Sequence, residues 1–169
     1  IGLLINEGGA GSISGDEIVF GVEVTQKVPV WLRLNTIDVP GHGSSPRATT
    51  SVLRIVEALD RIKENPFEPR IIPAVDAYFS GLAVSMDDDW AQAYADMGRA
   101  ITDPEFLPAL QNFRPGHQAL TRDICSITRM GGSSKINTIP PEAWAELDCR
   151  MLPDRPAEEL IADVEALLE

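Results

Sequence analysis

The residues best equipped for chemistry are few and lie far apart in the chain. Glu7 stands in Asn6-Glu7-Gly8-Gly9, just behind the apolar run Ile1–Ile5. A carboxylate at the end of a strand, followed by glycines that let another group approach, suits a metal ligand; it equally suits a solvated turn. His42 stands in Pro40-Gly41-His42-Gly43-Ser44. Its flanking glycines expose the imidazole, which could donate a hydrogen bond to an oxyanion or stay idle at the surface. A helix start following this turn would favour anionic groups nearby. Asn137 follows Gly131-Gly132 and leads into Thr138-Ile139-Pro140-Pro141. An Asn before a proline turn holds either backbone or substrate. Arg150 has a guanidinium fork that could bind a substrate carboxylate bidentately, or pair with Glu146 or Asp148 nearby.

What is missing narrows the chemistry further. The sequence has no His-Glu-x-x-His helix, no Cys-x-x-Cys pair, no Gly-x-Ser-x-Gly elbow, no Gly-x-Gly-x-x-Gly fingerprint and no phosphate-binding loop. With two histidines in all, His42 and His117, it does not assemble a complete catalytic zinc site by itself. His117, Cys125, Cys149 and the triplet Asp87-Asp88-Asp89 have no evident partners and read as structural. Two cysteines make no disulfide framework, so the core is expected to hold itself together.

The 169 residues suit about one domain, and 44% apolar content is enough for a core. Against 14 basic residues stand 26 acidic ones, a net charge of −12, which argues against nucleic acid or an anionic membrane as partner. No apolar run is long enough to span a membrane. Ile1–Ile5 lacks the basic start of a secretory signal, which leans toward a cytoplasmic location. A first residue other than Met suggests a piece of something longer.

The elements that must position these groups follow from periodicity. Ile1–Ile5 and Ile18–Val24 read as strands on either side of a Gly- and Ser-rich loop at 8–15. Val28, Val30, Leu32 and Leu34 alternate with Pro29, Trp31, Arg33 and Asn35, the period of a half-buried strand. Ser45 as N-cap and Pro46 at the first position open a helix over 45–64, with Val52, Ile55, Val56, Leu59 and Ile62 on one face. Prolines 66, 69, 73, 104 and 108 interrupt the next stretch. Within it, Trp90, Ala93, Tyr94, Met97 and Ile101 form an amphipathic helix behind Asp87–Asp89, and Asp103-Pro104 opens a shorter one through Leu110. Residues 66–120 are therefore a helical insertion or lid. Thr121–Met130 reads as a strand of ambiguous face. In 142–152, Ala143, Ala145, Leu147, Cys149 and Met151 point one way and Glu142, Trp144, Glu146, Asp148 and Arg150 the other. Pro156 starts a last helix, with Leu160, Ile161, Val164 and Leu168 inward. From residue 28 the order is β-α-(insertion)-β-β-α, an α+β, ferredoxin-like two-layer sandwich that lacks its last strand.

In order and separation, Asn6-Glu7-Gly8-Gly9, Pro40-Gly41-His42-Gly43-Ser44, Gly131-Gly132 to Ala143, and Leu147-Asp148-Cys149-Arg150 resemble the di-zinc aminoacylase/carboxypeptidase metallopeptidases. That family includes acetylornithine deacetylase, succinyl-diaminopimelate desuccinylase, aminoacylase and glutamate carboxypeptidase. The stretch between helix 45–64 and strand 121–130 is similar to the carboxypeptidase S-like branch. The resemblance implies that residues 1–27 end the first segment of an α/β catalytic domain and 28–169 form the dimerisation domain, with 66–120 inserted. It implies a parent enzyme with two Zn2+ per subunit, cleaving an amide bond next to a free carboxylate in a peptide or N-acyl amino acid.

On this resemblance Glu7 is a zinc ligand, His42 reaches into the partner subunit's active site of a homodimer, and Asn137 and Arg150 hold the substrate. The family's His-x-Asp motif, its Glu-Glu pair and its C-terminal histidine ligand have no counterpart here. The fragment itself is thus expected to be inactive and not to hold both zinc ions. The alternative reading is a non-catalytic ferredoxin-like dimerisation or small-ligand-binding module.

Overall fold

The fold is that of a computed structural model, which describes residues 11–14, 17–86 and 89–169. Glu7, the run Ile1–Ile5, Asp87 and Asp88 lie outside the described residues. The chain divides into two compact units, one of residues 1–26 and 70–121, the other of 27–69 and 122–169.

In the first unit, β1 (Gly11–Ser14) and β2 (Glu17–Phe20) pair antiparallel, from Gly11 opposite Phe20 to Ser14 opposite Glu17. The sequence placed 11–14 in a loop and extended the second strand to Val24. Its Gly and Ser content masked a partner for Glu17–Phe20, and Gly21, with no side chain to pack, follows the strand's end.

The second unit begins with β3 (Val28–Ile37) and the two-residue β4 (Gly41–His42). α1 (Ser51–Glu64) starts five residues later than expected, with Thr50 and not Ser45 before its first residue. The reason is local. Ser45 gives its N–H to the His42 carbonyl at 3.0 Å, closing the preceding turn. Thr50 is the extended residue whose hydroxyl accepts the Leu53 N–H at 3.1 Å, so Thr50 is the cap. Ile55, Leu59 and Ile62 of the expected stripe are buried, while Val52 and Val56 are exposed.

The first unit continues with α2 (Pro73–Ala83), α3 (Trp90–Ala95), α4 (Met97–Ala100), α5 (Phe106–Phe113) and α6 (Pro115–Ala119). The stretch is helical, as its composition suggested, but its breaks fall elsewhere. Pro73 and Pro115 open helices, because the first helical position needs no N–H, and Pro108 sits in the first turn of α5 for the same reason. The single helix expected over 90–101 is split at Asp96, whose φ of −144° and ψ of 69° leave the helix while its side chain caps the Arg99 N–H at 3.1 Å. Phe79, Tyr94, Met97 and Leu110 are fully buried here. Trp90 stacks on Phe113 at 4.6 Å between ring centroids.

The second unit closes with β5 (Ile124–Gly131), β6 (Thr138–Ile139), β7 (Glu142–Met151) and α7 (Ala157–Leu168). β7 lies between β3 and β5, antiparallel to both. Val28 faces Met151 and Ile37 faces Glu142 on one side; Ile124 faces Arg150 and Gly131 faces Trp144 on the other, past a bulge between Ile127 and Arg129. β7 alternates as its sequence dictates. Ala143, Ala145, Leu147, Cys149 and Met151 are buried with Ile55, Leu59 and Ile62 of α1 and Leu160 and Val164 of α7. Each large apolar side chain so buried contributes about 1.5–3 kcal/mol. The architecture is α+β, in the order β-α-β-β-α, with the helical stretch between α1 and β5.

Cys125 and Cys149 face each other across β5 and β7 and are joined as a disulfide. This corrects the expectation of two unpartnered core thiols. A separation of 24 residues carried no spacing motif, and only the strand register brings the two together. Among the described residues no helix is long and apolar enough to cross a membrane.

Candidate functional site

Two loops of the second unit are zipped together at one end of its sheet. Gly41 pairs with Ile139 and His42 with Thr138, joining β4 to β6. The Gly43 N–H adds a bond to the Asn137 carbonyl at 2.9 Å, and the Asp38 N–H one to the Pro141 carbonyl at 2.9 Å. The loop 38–45 that carries His42 is thereby held to the segment 137–141 that carries Asn137.

Side chains from β3 and α1 brace this ribbon. The buried Ser51 hydroxyl donates to the Pro140 carbonyl at 2.8 Å, and the Thr36 hydroxyl to the Ser51 carbonyl at 2.6 Å. The Asp38 carboxylate accepts its neighbour Val39's N–H at 2.7 Å and pairs with Arg54 Nε of α1 at 3.3 Å. The Val39 N–H, followed by the nearby Arg54 and Arg47 cations and the Thr49 hydroxyl, outweighs partial desolvation and lowers the Asp38 pKa. The loop's anchor is an anion under ordinary conditions.

The His42 ring itself is exposed. Its Nδ1 lies 2.8 Å from Ser44 Oγ and accepts the Ser44 N–H at 3.2 Å. The turn expected to run straight into a helix instead precedes the extended residue Thr50, so the helix start does not directly follow the histidine.

Arg150 is elsewhere. It sits eight residues along β7 from Glu142, and at 3.3 Å per residue that is about 26 Å from the end next to the β4–β6 ribbon. Its guanidinium grips Asp148 with Nε at 2.8 Å and Nη2 at 3.0 Å. The Arg150 fork lowers the Asp148 pKa, with help from a Trp31 hydrogen bond, and the Arg150 pKa is raised in return. Of the two possibilities the sequence left for this fork, the structure contains the intrachain pair. Within one chain His42 and Asn137 are neighbours, and Arg150 is not.

The outer face of the sheet carries an internally matched polar ladder beside the exposed Trp31 and Ile37. Trp144 has the Arg33 guanidinium 4.5 Å and the Arg129 guanidinium 5.5 Å from its ring. Glu146 bridges the same arginines, at 3.2 Å to Arg33 and 2.7 Å to Arg129. A hollow of about 520 Å³ between β3, β7 and β5 is lined by Trp31, Arg33, Thr128, Glu146 and Asp148. A Cβ on Gly131 would come within 2.7 Å of the Trp144 ring, so that position must be glycine for the indole to lie flat.

Sequence reasoning missed this ladder, although the alternation of 142–152 already placed Trp144 and Glu146 on one face. It also missed the bracing by Thr36, Asp38 and Ser51, for which composition offers no signal. Among the described residues no group of three or more His, Cys, Asp or Glu side chains could hold a metal ion. The described part of the chain therefore does not fit a metal centre of its own.

The comparisons with known proteins agree with the motif resemblance. The peptidase dimerisation domain family matches residues 24–169. The chain is 22% identical over 151 residues to a probable carboxypeptidase S-like 2 of Dictyostelium discoideum, covering 89% of this chain and 28% of that protein. It is 27% identical over 163 residues to the N-fatty-acyl-amino acid synthase/hydrolase PM20D1 of Xenopus tropicalis, covering 95% of this chain and 30% of that one. The chain thus spans less than a third of the curated relatives it matches. In fold it is similar to the M20 family metallo-carboxypeptidase Sso-CP2 from Sulfolobus solfataricus, with a TM-score of 0.50 and 14% identity over 85% of this chain and 40% of that one. On the match over 24–169, this chain belongs to the peptidase dimerisation domain family.

Proposed function

We propose that this chain is the dimerisation segment of a longer metal-dependent hydrolase, preceded by the end of its first catalytic segment. That enzyme would cleave an amide bond next to a free carboxylate, in a peptide or an N-acyl amino acid. Residues 28–169 would form the ferredoxin-like dimerisation domain, with the helical stretch 66–120 inserted. The two zinc ions would be held largely by residues beyond this chain, with Glu7 as one ligand, and they would activate the attacking water.

One observation carries the reading. His42 and Asn137 share a ribbon at one end of β7, and Arg150 lies at the other end of the same strand. Three groups so arranged do not meet around a small substrate in a single copy, but they can meet across a two-fold axis. His42 and Asn137 of one subunit would then face Arg150 of the other. His42 would donate a hydrogen bond to the charge that develops on the carbonyl oxygen. Asn137 would orient the amide oxygen, and Arg150 would exchange part of its grip on Asp148 for the substrate carboxylate.

The test is kinetic. In the longer enzyme, His42→Ala should lower kcat by the equivalent of about 3–4 kcal/mol, with KM nearly unchanged. A variant that keeps wild-type kcat leaves a dimerisation module with no part in the chemistry.

A further inference from the structure

We propose that Ser44 is the positioning residue that fixes His42 as an Nε2–H donor. The purpose assigned to that donor rests on the function proposed above; the proton's location does not.

A neutral imidazole carries one ring hydrogen, on Nδ1 or on Nε2, and the other nitrogen is an acceptor. The nitrogen's partner therefore decides which form is present. Ser44 N–H lies 3.2 Å from His42 Nδ1 and points to it as donor. A backbone N–H can only donate, so Nδ1 must be the bare nitrogen and Nε2 must carry the hydrogen. The Ser44 hydroxyl, with its Oγ 2.8 Å from Nδ1, can turn to donate to the same lone pair. The reverse tautomer would set an N–H against an N–H.

The backbone keeps this arrangement in register. The His42 carbonyl accepts the Ser45 N–H at 3.0 Å, so His42 and Ser44 belong to one closed turn. Between them, Gly43 is tied to Asn137 at 2.9 Å. The exposed edge of the ring, Nε2–H, is then a hydrogen-bond donor. With the hydrogen on Nδ1, that edge would offer a lone pair and repel a developing oxyanion. Ser44 thus selects a donor in place of a base, and it does so without touching the substrate.

The experiment is long-range 1H–15N correlation on the 15N-labelled chain at a pH where His42 is neutral. The chain has two histidines, so His117→Gln isolates the His42 signals. The expected spectrum has an acceptor-type Nδ1 and a protonated Nε2. In Ser44→Ala, which keeps the backbone N–H, the two nitrogen shifts should stay apart, whereas Ser44→Pro, which removes that N–H, should move them toward each other as the second tautomer becomes populated. A protonated Nδ1 in the parent chain overturns the proposal, and so does a Ser44→Pro spectrum identical to it in a variant shown to be folded by circular dichroism. In the longer enzyme Ser44→Pro should lower kcat several-fold at constant KM; an unchanged kcat overturns the positioning role. If His42→Ala itself leaves turnover intact while the spectra behave as expected, the oxyanion reading has failed and the tautomer assignment has not.

Discussion

His117 is the chain's second histidine, and its surroundings give it a character opposite to that of the exposed His42. Its Nδ1 lies 2.8 Å from Tyr94 Oη and its Nε2 3.4 Å from Tyr78 Oη, with the Phe79 ring edge-on at 5.5 Å between centroids. Burial first, and then the nearby Arg114 cation, lower its pKa below the usual 6.5. The folded chain therefore binds this proton less readily than the unfolded chain does. The neutral ring's contribution to stability is complete above about pH 6.5 and is lost as the pH falls below it toward the depressed folded value. Thermal melts at descending pH should show the helical unit weakening over that window, and His117→Gln should flatten the slope. An identical slope in the variant would place the acid sensitivity elsewhere. The sequence marked His117 as structural and stopped there, because the two tyrosines that bracket it are 23 and 39 residues away.

Among the elements, β5 and the β7–α7 connection are joined through Asp123. Its fully buried carboxylate accepts the Leu152 N–H at 2.7 Å and takes the Arg155 fork at 3.0 and 2.7 Å. Arg155 also reaches Asp163 on α7 at 2.6 Å. Asp123→Ala removes the acceptor and leaves Arg155 with only its exposed partner, a change worth on the order of 3 kcal/mol. A lower urea midpoint at unchanged m-value is the expected result; an unmoved midpoint would mean the carboxylate holds nothing together. Elements of this kind were unevenly legible in the sequence. β3 and β7 were plain because each has one buried face and so a strict two-residue period. The position of α1 was plain from its stripe, but its start was not, since Ser45-Pro46 and Thr50-Ser51 are both good openings and only the fold assigns Ser45's N–H to the turn. β4 and β6 are two residues each, too short for any period, and yet they bring His42 to Asn137. Motif order named His42 and Asn137 as candidates, whereas their pairing was a property of the register.

For the whole molecule, the family match over 24–169 makes a peptidase dimerisation domain the greater part of the chain. The chain spans 28% and 30% of the length of two of its relatives. The central claim is that the working site is assembled from two copies, His42 and Asn137 coming from one and the metal and Arg150 from the other. Its most direct test is a mixture of two inactive variants of the longer enzyme, His42→Ala and Glu7→Ala, allowed to exchange subunits. Random pairing makes half the dimers mixed, each with one complete site of two, so about a quarter of wild-type turnover should return. Mixed dimers that demonstrably form and still hydrolyse nothing would contradict a site shared between subunits.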